Sequence, residues 1–127
     1  MKLHGIGTDL VNISRIKKTL KNKKILNRLF CKEEIFKCSR IINSYNCYAK
    51  RFAAKEAFSK AVGSGISNGI NFNEISVMNK KNGKPFIKLK GQTMLTIKKK
   101  FKNKPNIELS ISDERNFALA FVVISYE

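Results

Sequence analysis

Residues 44–65 read SYNCYAKRFAAKEAFSKAVGSG, and the reading of this stretch decides the architecture. Ala, Lys, Glu and Arg are strong helix formers, and Gly63 and Gly65 stand where a helix would end in a left-handed turn. Projected at about 100° per residue, the apolar side chains of Ala49, Phe52, Ala53, Ala54, Ala57, Phe58, Ala61 and Val62 cover most directions. A helix that is apolar all round is central and covered on several sides. Glu56 is therefore unusual. It is one of only nine acidic residues in a chain of 127 residues with a formal charge of +17. A partly buried carboxylate needs a partner, because an unpaired charge in a poorly solvated place costs several kcal/mol. Lys60 is one candidate, an i,i+4 pair worth about 0.3–0.5 kcal/mol. The other is a hard cation such as Mg²⁺, which takes one or two carboxylates together with substrate phosphate oxygens.

A metal needs a second carboxylate, and GIGTD (5–9) supplies Asp9. KLHGIGTDLV (2–11) reads as a strand whose glycines permit close backbone approach, with Asp9 after them. Taken alone, an Asp after a strand is more often a turn or helix-capping residue. Asn12 or Ser14 can cap a following helix with Ile13, Ile16 and Leu20 on its apolar side and Arg15, Lys18, Lys21 and Lys24 on the other. Residues 23–41 continue helical in two shorter pieces. Beyond the central helix, INFNEISVMN (70–79) and KPFIKLKG (84–91) alternate as strands, joined through KKNG, where Asn82-Gly83 is a hairpin signal. QTMLTIKKKFK (92–102) reads as an amphipathic helix ended near Pro105. NIELSIS (106–112) and FALAFVVISY (117–126) are two further strands around the tight turn DERN. The order β-α-α-α-β-β-α-β-β, with no linker or repeat, predicts one α+β domain spanning residues 1–127 with a mostly antiparallel sheet.

Composition sets the outer bounds. Hydrophobic content of 43% and charged content of 28% are ordinary for a globular protein. No apolar run is long enough for a membrane span, and no secretory signal pattern is present. Cys31, Cys38 and Cys47 lack CxxC spacing and have only His4 to help them, so reduced thiols in a cytosol-like compartment are expected rather than zinc. His4 reads as a structural strand residue. The basic excess implies an anionic partner, although abundant Lys, Asn and Ile also fit an A/T-rich coding bias. A nucleic-acid-binding module is the competing class, motivated by the lysine runs at 17–24 and 98–104. Neither run interleaves aromatics and no nucleic-acid-binding motif is present, so no specific nucleic-acid partner is expected.

Three segments in order, GIGTDLVNISRI (5–16), RFAAKEAFSKAVGSGI (51–66) and NGKP (82–85), resemble the motifs of the holo-acyl-carrier-protein synthases, the short 4′-phosphopantetheinyl transferases. SISDERNFALAFVVI (110–124) is similar to that family's closing strand pair, and the resemblance is loosest over 20–48. It implies the 4′-phosphopantetheinyl transferase fold, with a long central helix. It also implies an Mg²⁺-dependent transfer of phosphopantetheine from coenzyme A to a serine of an acidic apo-acyl carrier protein, in support of fatty acid biosynthesis. A homotrimer with interfacial active sites is implied as well. The location is expected to be cytoplasmic, or a plastid-type organelle if a leader has been removed.

By motif position, Asp9 and Glu56 match the metal-binding carboxylates, and with Lys60 they make up the catalytic set. Deprotonation of the carrier serine falls to Glu56 or to a metal-held water. For coenzyme A the resemblance points to Arg51, Lys60, Gly63, Gly65, Lys84, Pro85, Ser112 and Asp113, and Lys55 is also available to phosphate. Apart from the resemblance, Gly63 and Gly65 read as a helix cap and turn, and Asp113 as a hairpin residue. Some relatives carry histidine where this chain has Asp113. Arg15 matches a docking arginine for the carrier, and Lys18, Lys21 and Lys24 share its face.

Overall fold

The computed structural model of the chain describes residues 1–63 and 69–127. The strands are β1 (Lys2–Asn12), β2 (Ile75–Asn79), β3 (Pro85–Leu89), β4 (Asn106–Asp113) and β5 (Phe117–Tyr126). The helices are α1 (Ile13–Thr19), α2 (Lys23–Leu29), α3 (Lys32–Cys38), α4 (Ser44–Val62) and α5 (Gly91–Lys100). β1, β5 and β4 form one antiparallel sheet in that order, and β2 and β3 form a separate antiparallel pair. The expected α+β class holds, with four helices between β1 and β2 where the expected order has three. No helix among the described residues is long and apolar enough to cross a membrane.

α4 is the axis of the molecule, as its all-round apolar pattern requires. Ala49, Ala53, Ala54, Ala57 and Phe58, which point in several directions around it, are all 0% exposed. Its end is set by Gly63, which takes φ 90° and donates its N–H to the Ser59 carbonyl at 3.1 Å. β1 lies directly against this helix. A Cβ on Gly5 would strike the Ala61 carbonyl, and one on Gly7 would strike the Ala57 carbonyl. The GIG segment is thus the place where strand and helix backbones meet with no side chain between them. β5 completes the seat with Ala118, Ala120, Val122 and Ile124 buried, and Gly7 is paired to Val122 in the register. His4 is structural, as expected: its Nε2 lies 3.1 Å from the Val62 carbonyl, and its ring makes a T-shaped contact with Phe101.

Several local expectations change. The stretch 70–79 is not strand throughout: Phe72–Glu74 form a 3₁₀ turn, and β2 begins at Ile75. The turn frees Glu74 to cap α5, where its carboxylate accepts from the Gln92 and Thr93 N–H groups, each at 3.0 Å. These hydrogen bonds and those from the Asn71 and Thr93 side chains outweigh its desolvation and hold its pKa below the usual value. The β2–β3 connection runs over residues 80–84, with the Lys80 N–H donating to the Lys84 carbonyl at 2.9 Å. The Gly83 N–H closes on the Lys80 carbonyl at 2.8 Å, and Gly83 itself takes φ 90°. The glycine therefore supplies the left-handed position after the turn and not its centre. The first basic helix is also shorter than its charge pattern suggested. α1 stops at Thr19, and Asn22 caps a new helix by accepting from the Lys24 and Ile25 N–H groups.

Two corrections concern charged and sulfur side chains. Lys55, expected to be available to phosphate, is 0% exposed. Its Nζ donates to Glu34 Oε1 at 2.6 Å and to the Leu29 and Phe72 carbonyls at 2.8 Å. Glu34 in turn accepts from the Cys31 and Val77 N–H groups. This pair ties α2, α3 and β2 to the central helix and leaves no donor for a ligand. The cysteines are not all reduced: Cys38 and Cys47 form a disulfide joining the end of α3 to the first turn of α4, with Cα atoms 5.4 Å apart. Cys31 is free.

Candidate active site

The close crossing of β1 and α4 carries the first group of candidate side chains. Along β1, Gly5, Gly7 and Asp9 share the face turned to the helix, because successive strand residues alternate. Asp9 therefore emerges at the edge of the crossing, where α4 presents Glu56 and Lys60 one turn apart. Lys60 Nζ donates to Asp9 Oδ1 at 3.1 Å and to the Thr8 carbonyl at 2.9 Å. No Glu56–Lys60 ion pair forms among the described residues, so the intrahelical pairing allowed by sequence is replaced by one across to the strand. Glu56 is half-buried. Burial, and secondarily the Asp9 charge, push its pKa up, with Lys60 opposing them. Two carboxylates and one ammonium thus converge, and among the described residues Glu56 has no ion-pair partner of its own.

The second group lies around Arg51. Five residues of helix separate it from Glu56, a rotation of about 140°, so it faces another side of α4. Arg51 is 5% exposed, with Nη1 3.3 Å from the Cys47 carbonyl and Nη2 3.3 Å from Asn79 Oδ1. Its Nε is buried without a partner. The side chain floors a cleft of about 200 Å³ bordered by Lys50, Asn79, Gly83, Pro85 and Asp113. Lys37 Nζ reaches the same Asn79 Oδ1 at 2.9 Å. Burial, then the charges of Arg51 and Lys50, lower the Lys37 pKa. Arg51 and Lys50 border this cleft and Lys37 lies beyond it across Asn79, with Asp113 held by Asn46 at 3.1 Å and by Lys50 at 3.9 Å as the neighbouring anion. Such a cluster suits a phosphate group.

The predicted site residues thus fall into sets. Asp9, Glu56 and Lys60 are brought together, as are Arg51, Pro85 and Asp113. Gly63 caps α4 and faces open space, and Gly65 lies outside the described residues. Lys84 is paired with Glu108 of β4 at 3.2 Å and does not border the cleft. Ser112 alternates with Asp113 along β4 and does not border the cleft. Arg15, Lys18, Lys21 and Lys24 are all exposed, but α1 carries the first two, a turn carries Lys21 and α2 carries Lys24. Lys37, Lys50 and Asn79 were missed. Nothing in a lysine-rich sequence distinguishes the two lysines that fold against Arg51 from those that coat the surface.

With this geometry the chain belongs to the 4′-phosphopantetheinyl transferase superfamily, whose family model matches residues 5–122. Within it, the similarity is to holo-acyl-carrier-protein synthases. The one from Pelagibacter ubique is 45% identical over 125 residues, covering 98% of both chains. The crystal structure of the holo-acyl-carrier-protein synthase from Neisseria meningitidis superposes with a TM-score of 0.88 at 35% identity, covering 98% of this chain and 99% of that one. The Bacillus anthracis enzyme, solved in complex with coenzyme A (3′,5′-ADP), superposes with a TM-score of 0.83 at 32% identity over the whole of both chains.

Proposed function

We propose that this chain transfers the 4′-phosphopantetheine group of coenzyme A to a serine of an apo-acyl carrier protein, releasing adenosine 3′,5′-bisphosphate, in support of fatty acid biosynthesis. The observation that carries the reading is the convergence of Asp9, Glu56 and Lys60 at the β1–α4 crossing in a member of this superfamily. In the reaction the serine oxygen forms a bond to the phosphorus bearing pantetheine while the pyrophosphate P–O bond breaks. The serine proton passes to Glu56 or to a water held beside it, both within this cluster. Lys60 holds positive charge beside the bridging phosphates and offsets the charge that develops on the leaving nucleotide. Arg51, Lys37 and Lys50 offer a separate anchor for a phosphate of the nucleotide end.

Among the described residues no three His, Cys, Asp or Glu side chains cluster, so a fully protein-built metal cage is not available. Two carboxylates close enough for the Asp9 charge to act on Glu56 nevertheless fit Mg²⁺, which is usually completed by substrate phosphates and water. Asp9 and Glu56 would hold it. When bound, it would supply charge neutralisation on the pyrophosphate.

The two functional groups on opposite sides of α4 favour active sites shared between copies. The outer face of the β1–β5–β4 sheet supports this, since Ile6, Leu10, Leu119 and Phe121 are 56%, 64%, 44% and 41% exposed. A contiguous apolar face of this kind fits burial in a homotrimer. The exposed Arg15, Lys18, Lys21 and Lys24 offer a surface to an acidic carrier, acting mainly on encounter rate. A cytoplasmic location is in keeping with this role.

Mass spectrometry of an apo-carrier incubated with the chain, coenzyme A and Mg²⁺ tests the proposal. One added phosphopantetheine per carrier is expected, and Asp9→Ala or Glu56→Ala should abolish the transfer with the fold intact. No mass shift on any acidic carrier would refute the activity, and full transfer by both variants would refute the carboxylate assignment.

A further inference from the structure

The largest cavity described lies away from both groups above. It encloses about 750 Å³ between β3, α5 and the start of β4, against about 200 Å³ for the Arg51 cleft, and the two share no bordering residue. Its size is within the roughly 300–1,000 Å³ of small-molecule sites. The walls are hydrocarbon: Leu89, Met94, Ile97, Phe101, Pro105 and Ile107. Lys88, Lys98, Lys102 and Lys104 border it. These lysines come from β3, α5 and the segment that follows α5, so the basic end of one helix does not account for them. Among the described residues, Lys50, Lys60, Lys84 and Lys90 each have a carboxylate within 4 Å, while the groove lysines share with the lysines of α1 and α2 the lack of one, and differ from those in bordering a cavity. None of the four groove lysines has one among the described residues.

We propose that this groove binds a single-chain anionic amphiphile, an alkyl chain with a carboxylate or phosphate head, one per protein chain. Hydrocarbon walls of this extent gain free energy by taking apolar surface out of water. Four uncompensated cations at the border add attraction for an anionic head and stronger attraction at low salt. The same charges disfavour the other ready occupant, a second copy of a chain of net charge +17. The apolar sheet face, with Leu10 and Phe121, offers copies a contact without that repulsion.

The test is calorimetric titration of dodecanoate, below its micelle concentration, into the full chain at low salt. A displacement assay with the fluorescent anion 1-anilinonaphthalene-8-sulfonate runs alongside. Saturable binding at one dodecanoate per chain is expected. It should weaken about tenfold in Lys98→Gln/Lys102→Gln and at least as much in Met94→Gln, and neutral octyl glucoside should not displace the fluorophore. Carrier modification without amphiphile should be unchanged in both variants, so failure of the groove leaves the transferase reading standing. Absence of saturable binding, equal affinity in the variants, or displacement by the neutral detergent overturns the proposal. So does rim-dependent binding only to vesicles of anionic phospholipid, or a shift in oligomeric state in Lys98→Gln/Lys102→Gln without any change in dodecanoate affinity.

Discussion

Lys55→Met separates a structural lysine from a substrate-binding one. Met keeps most of the length and volume of the stem, so the perturbation is the loss of the ammonium. That ammonium donates to Glu34 at 2.6 Å and to the Leu29 and Phe72 carbonyls at 2.8 Å, and lies 4.9 Å from the centre of the Phe30 ring. Without it, Glu34 is 2% exposed with only the Cys31 and Val77 N–H groups as donors, so a carboxylate charge is left buried and unpaired. Removing one member of a buried pair costs about 3–5 kcal/mol. Two carbonyls also lose their lysine donor, which places the expected loss toward the upper end. This is a large share of the roughly 5–15 kcal/mol that holds a domain folded. Lys55→Met/Glu34→Gln should recover part of it, with a coupling of about 1–3 kcal/mol between the two changes. Urea unfolding followed by circular dichroism, at one fixed protein concentration, measures both quantities. The folded fraction of Lys55→Met should keep its KM for coenzyme A. A stability loss under about 1 kcal/mol combined with a raised KM would show instead that the ammonium reaches substrate.

Glu56→Gln should abolish transfer yet stabilise the metal-free protein at neutral pH. The Glu56 pKa is raised in the fold, so this group contributes stability below its ordinary value of 4.5 and loses it as pH rises through the raised one. Thermal unfolding in chelator from pH 4 to 8 should show the variant gaining on the parent with rising pH, and a variant less stable at pH 7 contradicts the assignment. Gly7→Ala places a methyl 2.8 Å from the Ala61 nitrogen and 2.9 Å from the Ala57 carbonyl carbon, so unfolding assays should show a loss of about 1–3 kcal/mol or more. Because relief requires β1 to move off α4, the folded fraction should also lose transfer rate, by about 10²-fold for a 1 Å shift of Asp9. The Cys38–Cys47 bond spans nine residues of sequence, so dithiothreitol should lower stability by about 2–3 kcal/mol. That sensitivity should vanish in Cys38→Ser and persist in Cys31→Ser.

The central helix was legible in the sequence because burial on all sides leaves a mark that needs no knowledge of neighbours. Asp9 and Glu56 were legible for a related reason, since carboxylates are scarce enough here for each to demand a partner. The lysines carried no such contrast. Lys55 and Lys60 flank Glu56 in one helix, and a helical projection gives each a direction without saying what stands across from it. Lys55 meets Glu34, twenty-one positions away in the chain, and Lys60 meets Asp9, fifty-one away. Both pairings are products of the fold. The disulfide was hidden for the same reason: spacing alone gave no sign that α3 returns to within 5.4 Å of the start of α4.

The part of the site that was legible and the part that was not have one physical origin. Gly5 and Gly7 let α4 approach β1 so closely that Ala57 and Ala61 touch the strand backbone, and this contact brings Lys60 to Asp9. Bulkier residues at those four positions would hold the elements apart and lengthen the Lys60–Asp9 contact. The small side chains therefore fix the chemistry as well as the packing. On the opposite side of α4, the burial of Lys55 against Glu34 fixes the rotation of the same helix, and with it the direction in which Glu56 leaves the core.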